Sequence, residues 1–358
     1  MKQDHPELLR PLDRTGCLHV RQAQDGDESR WEAFVELCPE ATFFHRFGWK
    51  RLLAKVLHHR THYLLAEQDG RLAGVLPLVE VRSLLFGHSL VSLPYCTYGG
   101  AACMTPAARQ ALHRAAAELA QECKVEYLEM RNLRVREPHW PRQDLYVTFR
   151  KEILPEVEAN MLAIPRKQRA MVRKGIKAGM TSVVERSTRN FCALYSNNMQ
   201  RHGTPPLPQR YFDLLREEFG RDCQVLTVMD RYGEPVSSVL SFYFRDEVLP
   251  YYAGDVSAAR EMAANDFKYW ELMRRACEQG CRVFDYGRSK RGTGSFDFKK
   301  NWGFEAEPLQ YEFKLLRRPR VPQNNPLNPK YRLFIKAWRA LPAPIASFLG
   351  ARLARHLT

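Results

Sequence analysis

The sequence predicts a mixed α/β (α+β) protein made of two similar halves and a basic tail. Three observations predict it. A chain of 358 residues is long enough for two domains of ordinary size. Its composition, 45% hydrophobic and 27% charged, is that of a globular chain with a sizeable core. The elements also come twice in one order: helices, a meander of antiparallel strands, a long helix, then one or two further strands. The repeat is one of pattern, since no identity between the halves is visible. One large α/β domain is the competing arrangement.

In the first half Leu18–Arg21 reads as a short strand, and Glu28–Leu37 and Trp49–Leu57 as helices. Tyr63–Glu67, Arg71–Leu84 and His88–Leu93 read as strands, with Asp69-Gly70 as the hairpin turn between the first two. Thr105 is suited to cap a long helix over Pro106–Cys123. Val125–Met130 and Tyr146–Arg150 return to strand. In the second half Ala159–Ala178 reads as one basic helix, followed by helices over Thr188–His202 and Gln209–Phe219. Strands over Gln224–Asp230 and Pro235–Phe244 flank a turn at Tyr232-Gly233-Glu234, and Val248–Ala253 is a further strand. A helix over Ala259–Gln279 leads to a strand over Val283–Tyr286, and Gln310–Leu315 closes the sheet. This is the element order of an acyl-CoA N-acyltransferase (GNAT-like) domain, present twice in tandem. The boundaries follow: 1–155 for the first domain, 156–316 for the second, which carries the candidate active site, and 317–358 for a linker and tail.

Charge is unevenly spread. From Arg166 to Lys177 six residues are basic and none acidic, and from Arg317 onward nine are basic and none acidic. Together these two segments account for the whole net charge of +15. They call for an anionic partner, whether nucleic acid, a phosphorylated carrier or a lipid surface. In the tail, Pro319, Pro322, Pro326 and Pro329 mark a linker, after which Phe334, Ile335, Trp338, Leu341, Phe348 and Leu349 alternate with basic residues. Such helices suit either an anionic bilayer or docking on the protein body. The nine cysteines are scattered and show no zinc spacing, so no metal is expected and a reducing, cytoplasmic setting fits, with peripheral contact to the inner membrane through the tail. His58, His59 and His62 cluster without a motif around a nucleophile.

The run from Phe284 to Phe304 is the most informative stretch. It starts as a strand and breaks into glycine-rich loop carrying Arg288, Lys290, Asp297, Lys299 and Trp302. Glycines let backbone approach a ligand, and the cations offer charge-assisted hydrogen bonds to an anion. A phosphate-cradling P-loop is disfavoured, because Thr293 stands where that motif needs lysine.

On these residues, with Ile164–Gly175, Leu249–Tyr252, Asn265–Trp270 and Asn328–Arg332, the chain resembles the FemAB-like proteins associated with exosortase (XrtA)/PEP-CTERM and exopolysaccharide systems. The resemblance covers essentially the whole chain. It implies two tandem GNAT-like domains and an acyltransferase (EC 2.3 class). The wider family's studied members move an aminoacyl group from aminoacyl-tRNA to an amine of a peptidoglycan precursor peptide, and the resemblance does not fix the acceptor here. It also implies a functional Lys299, since Phe298-Lys299-Lys300-Asn301-Trp302-Gly303 matches the family's Phe-Lys-x-x-Phe-Gly segment with tryptophan for the second phenylalanine. The long helical hairpin of the tRNA-binding members has no counterpart here.

Acyl transfer to an amine needs a neutral amine, a stabilised oxyanion and a place for the leaving group. Lys299 is the candidate for the oxyanion or a phosphate, Asp297 for the proton, and Tyr252 lies on the central strand that should supply a backbone amide. Arg166, Lys167, Arg169 and Arg173, at helical spacing, are candidates for holding phosphates, and Asn265, Asp266, Arg288, Lys290 and Trp302 for the rest of substrate binding. The segment Arg260–Asn265, where a CoA enzyme cradles pyrophosphate, has no glycine. The donor is therefore aminoacyl-tRNA or acyl-CoA with no tightly bound cofactor. The alternatives to transfer onto a cell-envelope precursor are acetyl-CoA-dependent acetylation of an exopolysaccharide sugar, or non-catalytic binding of a glycan or lipid carrier. Oligomeric state is not legible.

Overall fold

The computed structural model describes residues 17–83 and 87–322, and in the tail 335, 336, 338, 339, 341, 349, 350 and 353. Leu84, Phe334, Phe348 and the Asn328–Arg332 motif lie outside the described residues. The chain divides into two compact units, chiefly Met1–Asp144 with Leu309–Pro322, and Leu145–Pro308 with the tail.

The first unit holds β1 (Leu18–Gln22), α1 (Glu28–Leu37), α2 (Gly48–Leu57), β2 (Arg60–Gln68), β3 (Arg71–Ser83), β4 (Gly87–Val91), β5 (Ala102–Cys103), α3 (Pro106–Glu122), β6 (Tyr127–Asn132) and β7 (Arg142–Gln143). Its sheet has the order β1-β2-β3-β4-β6, in which β4 and β6 are parallel and the earlier neighbours antiparallel. Thr105 caps α3, its side chain accepting from the Ala108 amide. That helix turns Ala108, Leu112, Ala116 and Leu119 onto Leu64, Leu76, Leu78 and Leu128 of the sheet. Gly74 is required there: a Cβ would stand 2.9 Å from Cys103 Sγ and 3.0 Å from Leu112 Cδ1.

The second unit holds β8 (Tyr146–Glu152), α4 (Val157–Ala163), α5 (Arg166–Lys177), β9 (Thr181–Glu185), α6 (Arg189–His202), α7 (Gln209–Phe219), β10 (Cys223–Met229), β11 (Pro235–Phe244), β12 (Glu247–Asp255), α8 (Ala264–Glu278), β13 (Val283–Asp285), β14 (Ser289–Lys290), α9 (Gly294–Asn301) and β15 (Ala306–Pro308). Its sheet runs β14-β8-β13-β12-β11-β10-β9. Gly254 lets α6 lie directly on β12, because a Cβ there would meet the Tyr195 amide nitrogen at 2.2 Å. Gly175 does the same for α5 against Phe267 of α8.

Two strands go where chain order does not send them. β8, read as the close of the first half, pairs antiparallel with β13 and also with β14 and β15 in the second unit's sheet. The last strand, β16 (Gln310–Leu315), read as closing the second sheet, instead pairs with β6 and β7 of the first. Pairing partners are set by register and side-chain burial, which linear pattern does not reveal. Three further expectations are corrected. Ala159–Ala178 is two helices, because Pro165 forces Ile164 into extended backbone with ψ 131°. The helix expected over Ala259–Gln279 begins only at Ala264, after a 3-10 turn at Ser257–Arg260 and a left-handed Ala263 with φ 61°. The glycine-rich run also contains a helix, α9, capped by Thr293, whose side chain accepts from the Phe296 amide.

The described part of the tail turns toward the second unit's body. Trp338, expected to meet either an anionic bilayer or the protein body, is 3% exposed. The Gln200 side chain donates to the Leu341 carbonyl at 2.7 Å, and Gly203 leaves room for Ile335.

Candidate active site

The second unit's sheet opens between β12 and β13. The two are parallel and paired only at Glu247↔Val283 and Val248↔Phe284, after which β12 continues to Asp255 while β13 ends at Asp285. The β11–β12 register slips between Leu240 and Ser241, which gives β12 one extra residue, Tyr251, and bends it. A bent strand parting from its parallel neighbour offers main-chain donors and acceptors to a ligand.

At the end of β13 a tight turn is locked from two sides. Asp285 is fully buried and accepts from the Gly287 amide at 2.7 Å, from Thr148 Oγ1 at 3.3 Å and from the Arg150 guanidinium at 2.7 Å. Arg150 also bonds Glu247, whose carboxyl is raised by burial against the pull of that arginine. From the other side Lys299 Nζ donates to the carbonyls of Tyr286 (2.6 Å), Gly287 (3.1 Å) and Arg288 (3.3 Å). Gly287 has φ 63°, a left-handed turn position that favours glycine. Burial pushes the Lys299 ammonium down to about 7, with Asp285 pulling it back up.

This corrects the role expected of Lys299. It is 7% exposed, and its three donors are spent on three carbonyls, so it shapes the turn and does not reach a substrate phosphate or oxyanion in this arrangement. Asp297, two residues earlier on α9, points the other way and is exposed. Tyr252 belongs to a separate aromatic group: its hydroxyl meets that of Tyr211 at 2.9 Å, and its ring packs edge-on against Phe212 and Tyr195. Tyr252 thus stands on β12, the strand expected to supply a backbone amide, while Asp297 and Lys299 both lie on α9 and face apart. Trp302 is also corrected, being fully buried with its indole N–H donated to Asp266 at 3.0 Å. Arg288 stacks on the Tyr146 ring at 4.6 Å, and Lys290 pairs with Tyr146 in β14.

The start of α8 carries its own carboxylate and little free positive charge. Asp266 stands in its first turn, and the one lysine there, Lys268, is fully buried and committed to Asp255 at 2.9 Å and Asn265 at 2.7 Å. A carboxylate at a helix N-terminus takes the place an anion would occupy. The α5 row is the opposite case. Arg166, Arg169, Arg173, Lys174 and Lys177 line a groove of about 660 Å³ with Ala170 and Ala178. Among the described residues none of them makes an ion pair, and only Arg169 is tied to the body, donating to the Leu162 carbonyl at 3.0 Å. Buried Val172 and Gly175 on the far side fix the helix so that this row faces out.

Sequence reasoning missed the Asp285–Arg150–Glu247 and Lys268–Asp255 networks. The available signal was a carboxylate closing an apolar strand just before glycine, Val283-Phe284-Asp285-Tyr286-Gly287.

Residues 166–300 match the family described as "Acetyltransferase (GNAT) domain". No curated protein matches the sequence. Among solved structures, FemX superposes with a TM-score of 0.64 at 14% identity, covering 84% of this chain and 98% of that one. The C-terminal domain of a putative lysylphosphatidylglycerol synthetase from Agrobacterium fabrum gives 0.56 at 13%, covering 82% and 92%. A tandem GNAT protein from the clavulanic acid biosynthesis pathway gives 0.53 at 11%, covering 85% and 100%. At these identities the likeness is one of fold: a tandem GNAT architecture. With the domain match it supports an acyltransferase, for which the GNAT domain implies an acyl-CoA donor and an amine acceptor. Among the described residues no helix is long and apolar enough to cross a membrane.

Proposed function

We propose that the protein transfers an acyl or aminoacyl group to an amine of a cell-envelope precursor, a peptidoglycan peptide or an exopolysaccharide component. The observation that carries this reading is the parting of β12 from β13 beside a locked turn, within the segment that matches the GNAT domain. In this reading β12 supplies main-chain hydrogen bonds to the reacting carbonyl, and exposed Asp297 at the start of α9 takes the amine's proton. The α5 groove holds phosphates of the donor or the precursor. Lys299 and Asp285 act as positioning residues, holding the turn at the mouth of the gap.

Two observations bear on the donor. The GNAT match favours acyl-CoA, while the carboxylate in the first turn of α8 favours aminoacyl-tRNA, which does not need a diphosphate cradle there. Incubating the purified protein with labelled acetyl-CoA or charged tRNA, in the presence of amine-bearing nucleotide-sugar and peptide acceptors, separates the two. Label passing from one donor to an acceptor supports transfer and names the donor. Acceptor binding by calorimetry with no label passing from any donor would favour the glycan- or carrier-binding alternative.

A further inference from the structure

The first unit brings together an imidazole, a carboxylate and a thiol from three elements far apart in sequence. His62 is on β2, Glu80 on β3, and Cys123 directly follows α3. One donor atom from each lies within 4.8 Å of the others. We propose that His62, Glu80 and Cys123 form a site for a single divalent cation of borderline softness, zinc being the natural occupant, with a water completing the tetrahedron.

Four observations carry the assignment. First, the donor set is one zinc takes readily: one nitrogen, one oxygen, one sulfur. Second, His62 Nε2 and Glu80 Oε2 are 3.4 Å apart. That is long for a hydrogen bond, but it is about the edge of a tetrahedron with metal–ligand bonds of about 2.0–2.2 Å. Third, the two oxygens of Glu80 are differently engaged. Oε1 accepts from Arg82 Nε at 2.8 Å and lies 2.7 Å from His88 Nε2, an outer shell that orients the carboxylate and leaves Oε2 turned to His62. Fourth, the His62 imidazole is 2% exposed, and its Nε2 faces nothing nearer than Glu80 Oε2 at 3.4 Å. A buried ring whose nearest partner is at 3.4 Å is costly to keep unless something else binds it. Against these stands Arg60, whose guanidinium is 4.0 Å from Glu80 Oε2. Its side chain is 74% exposed and can swing into solvent when a cation enters.

The consequence would be a clamp between the end of α3 and the β2–β3 pair. It escapes spacing rules, because the ligands converge only through the β2–β3 register and the docking of α3.

The test is titration of the full chain with Co(II), in a Cys17→Ser background that removes the exposed thiol. The expected result is one equivalent bound, with a near-ultraviolet thiolate-to-cobalt band and visible ligand-field bands of tetrahedral strength, both displaced by Zn(II). Cys123→Ser should abolish the thiolate band and weaken binding at least tenfold. His62→Gln should weaken it similarly, and Zn(II) should raise the melting temperature of the parent but of neither variant. Circular dichroism confirms that the variants are folded, and Cys123, being half-exposed, is the milder change. No band at one equivalent, or a band unchanged by Cys123→Ser, overturns the site and leaves Glu80 as a carboxylate satisfied by its arginines and histidines alone.

Discussion

Lys299 shows how one side chain can carry a family motif and still work at one remove from the chemistry. Its ammonium faces three carbonyls that favour the charged form, while burial pushes its pKa down to about 7 from 10.5. The folded pKa lies below the unfolded one, so between pH 7 and 10.5 the unfolded chain holds more of this proton, and stability rises with pH through that window. Below pH 7 both states are protonated and the cost of the buried charge is constant. Between pH 7 and 9 the rise is at most about 2 kcal/mol, and the three carbonyls reduce it. Lys299→Met should lack that rise, which chemical denaturation of both proteins at pH 7 and 9 measures as a difference between slopes. It should also lower the turnover number of any transferase activity more than it raises KM, since it loosens the turn and touches no substrate. Arg169 and Arg173 make the opposite prediction. Each charged hydrogen bond to a bound phosphate contributes about 1.5–3 kcal/mol, so Arg173→Ala should raise the apparent KM about tenfold or more with little change in turnover or stability. An unchanged KM would leave the α5 row a solvated face. Lys299 and Asp297 looked equivalent in sequence because a loop gives no faces, and only the formation of α9 turns one inward and the other out.

The elements themselves were largely legible wherever local signals agreed. α7 and β11 run over Gln209–Phe219 and Pro235–Phe244 as read, because a regular apolar stripe and a turn at Gly233 mark their ends. α9 was not legible: at eight residues it offers little periodicity, and Gly292 and Gly294 with its paired lysines read as loop. The same limit hid β14 and β15, of two and three residues. What holds the gap open is also an element-scale matter. β12 can part from β13 because α6 lies hard against it through Gly254, where any Cβ would strike the backbone of Leu194 and Tyr195 at 2.2–2.5 Å. These neighbours are backbone atoms and cannot swing aside, so Gly254→Ala must push α6 off the strand. Overpacking of this kind costs about 1–3 kcal/mol, and here the upper end is expected, read as a drop in denaturation midpoint. A wild-type midpoint in Gly254→Ala would show that α6 is not seated as described.

At the scale of the whole molecule, what pattern could not supply is which sheet each strand completes. The doubled order of elements is visible in the sequence, yet each unit's sheet is finished by a strand that chain order would give to the other. β16 is a working member of the first unit. Tyr311 and Phe313 are buried there at 1% and 2%, and fully buried Glu312 accepts from Asn132 Nδ2 at 2.6 Å and from the amides of Arg136 and Glu137 at 2.9 and 3.0 Å. β8 likewise gives the second unit buried Val147 and Phe149 and the Arg150 bond to Asp285. Cutting the chain where the sequence suggests, into 1–155 and 156–316, would strip β16 from the first piece and β8 from the second. The first would then bare the long edge of β6 and leave three donors without their carboxylate, each unmet group costing about 1–3 kcal/mol. Losses of that size, with the bared strand edge, are comparable with the margin by which most domains are folded. Neither piece should unfold cooperatively on its own. A design that appends residues 309–322 through a flexible linker to 1–144 should restore a cooperative transition in the first unit. Thermal melts followed by near-ultraviolet circular dichroism decide the matter: a cooperative melt from 1–155 alone would mean that β16 is dispensable to the sheet it closes.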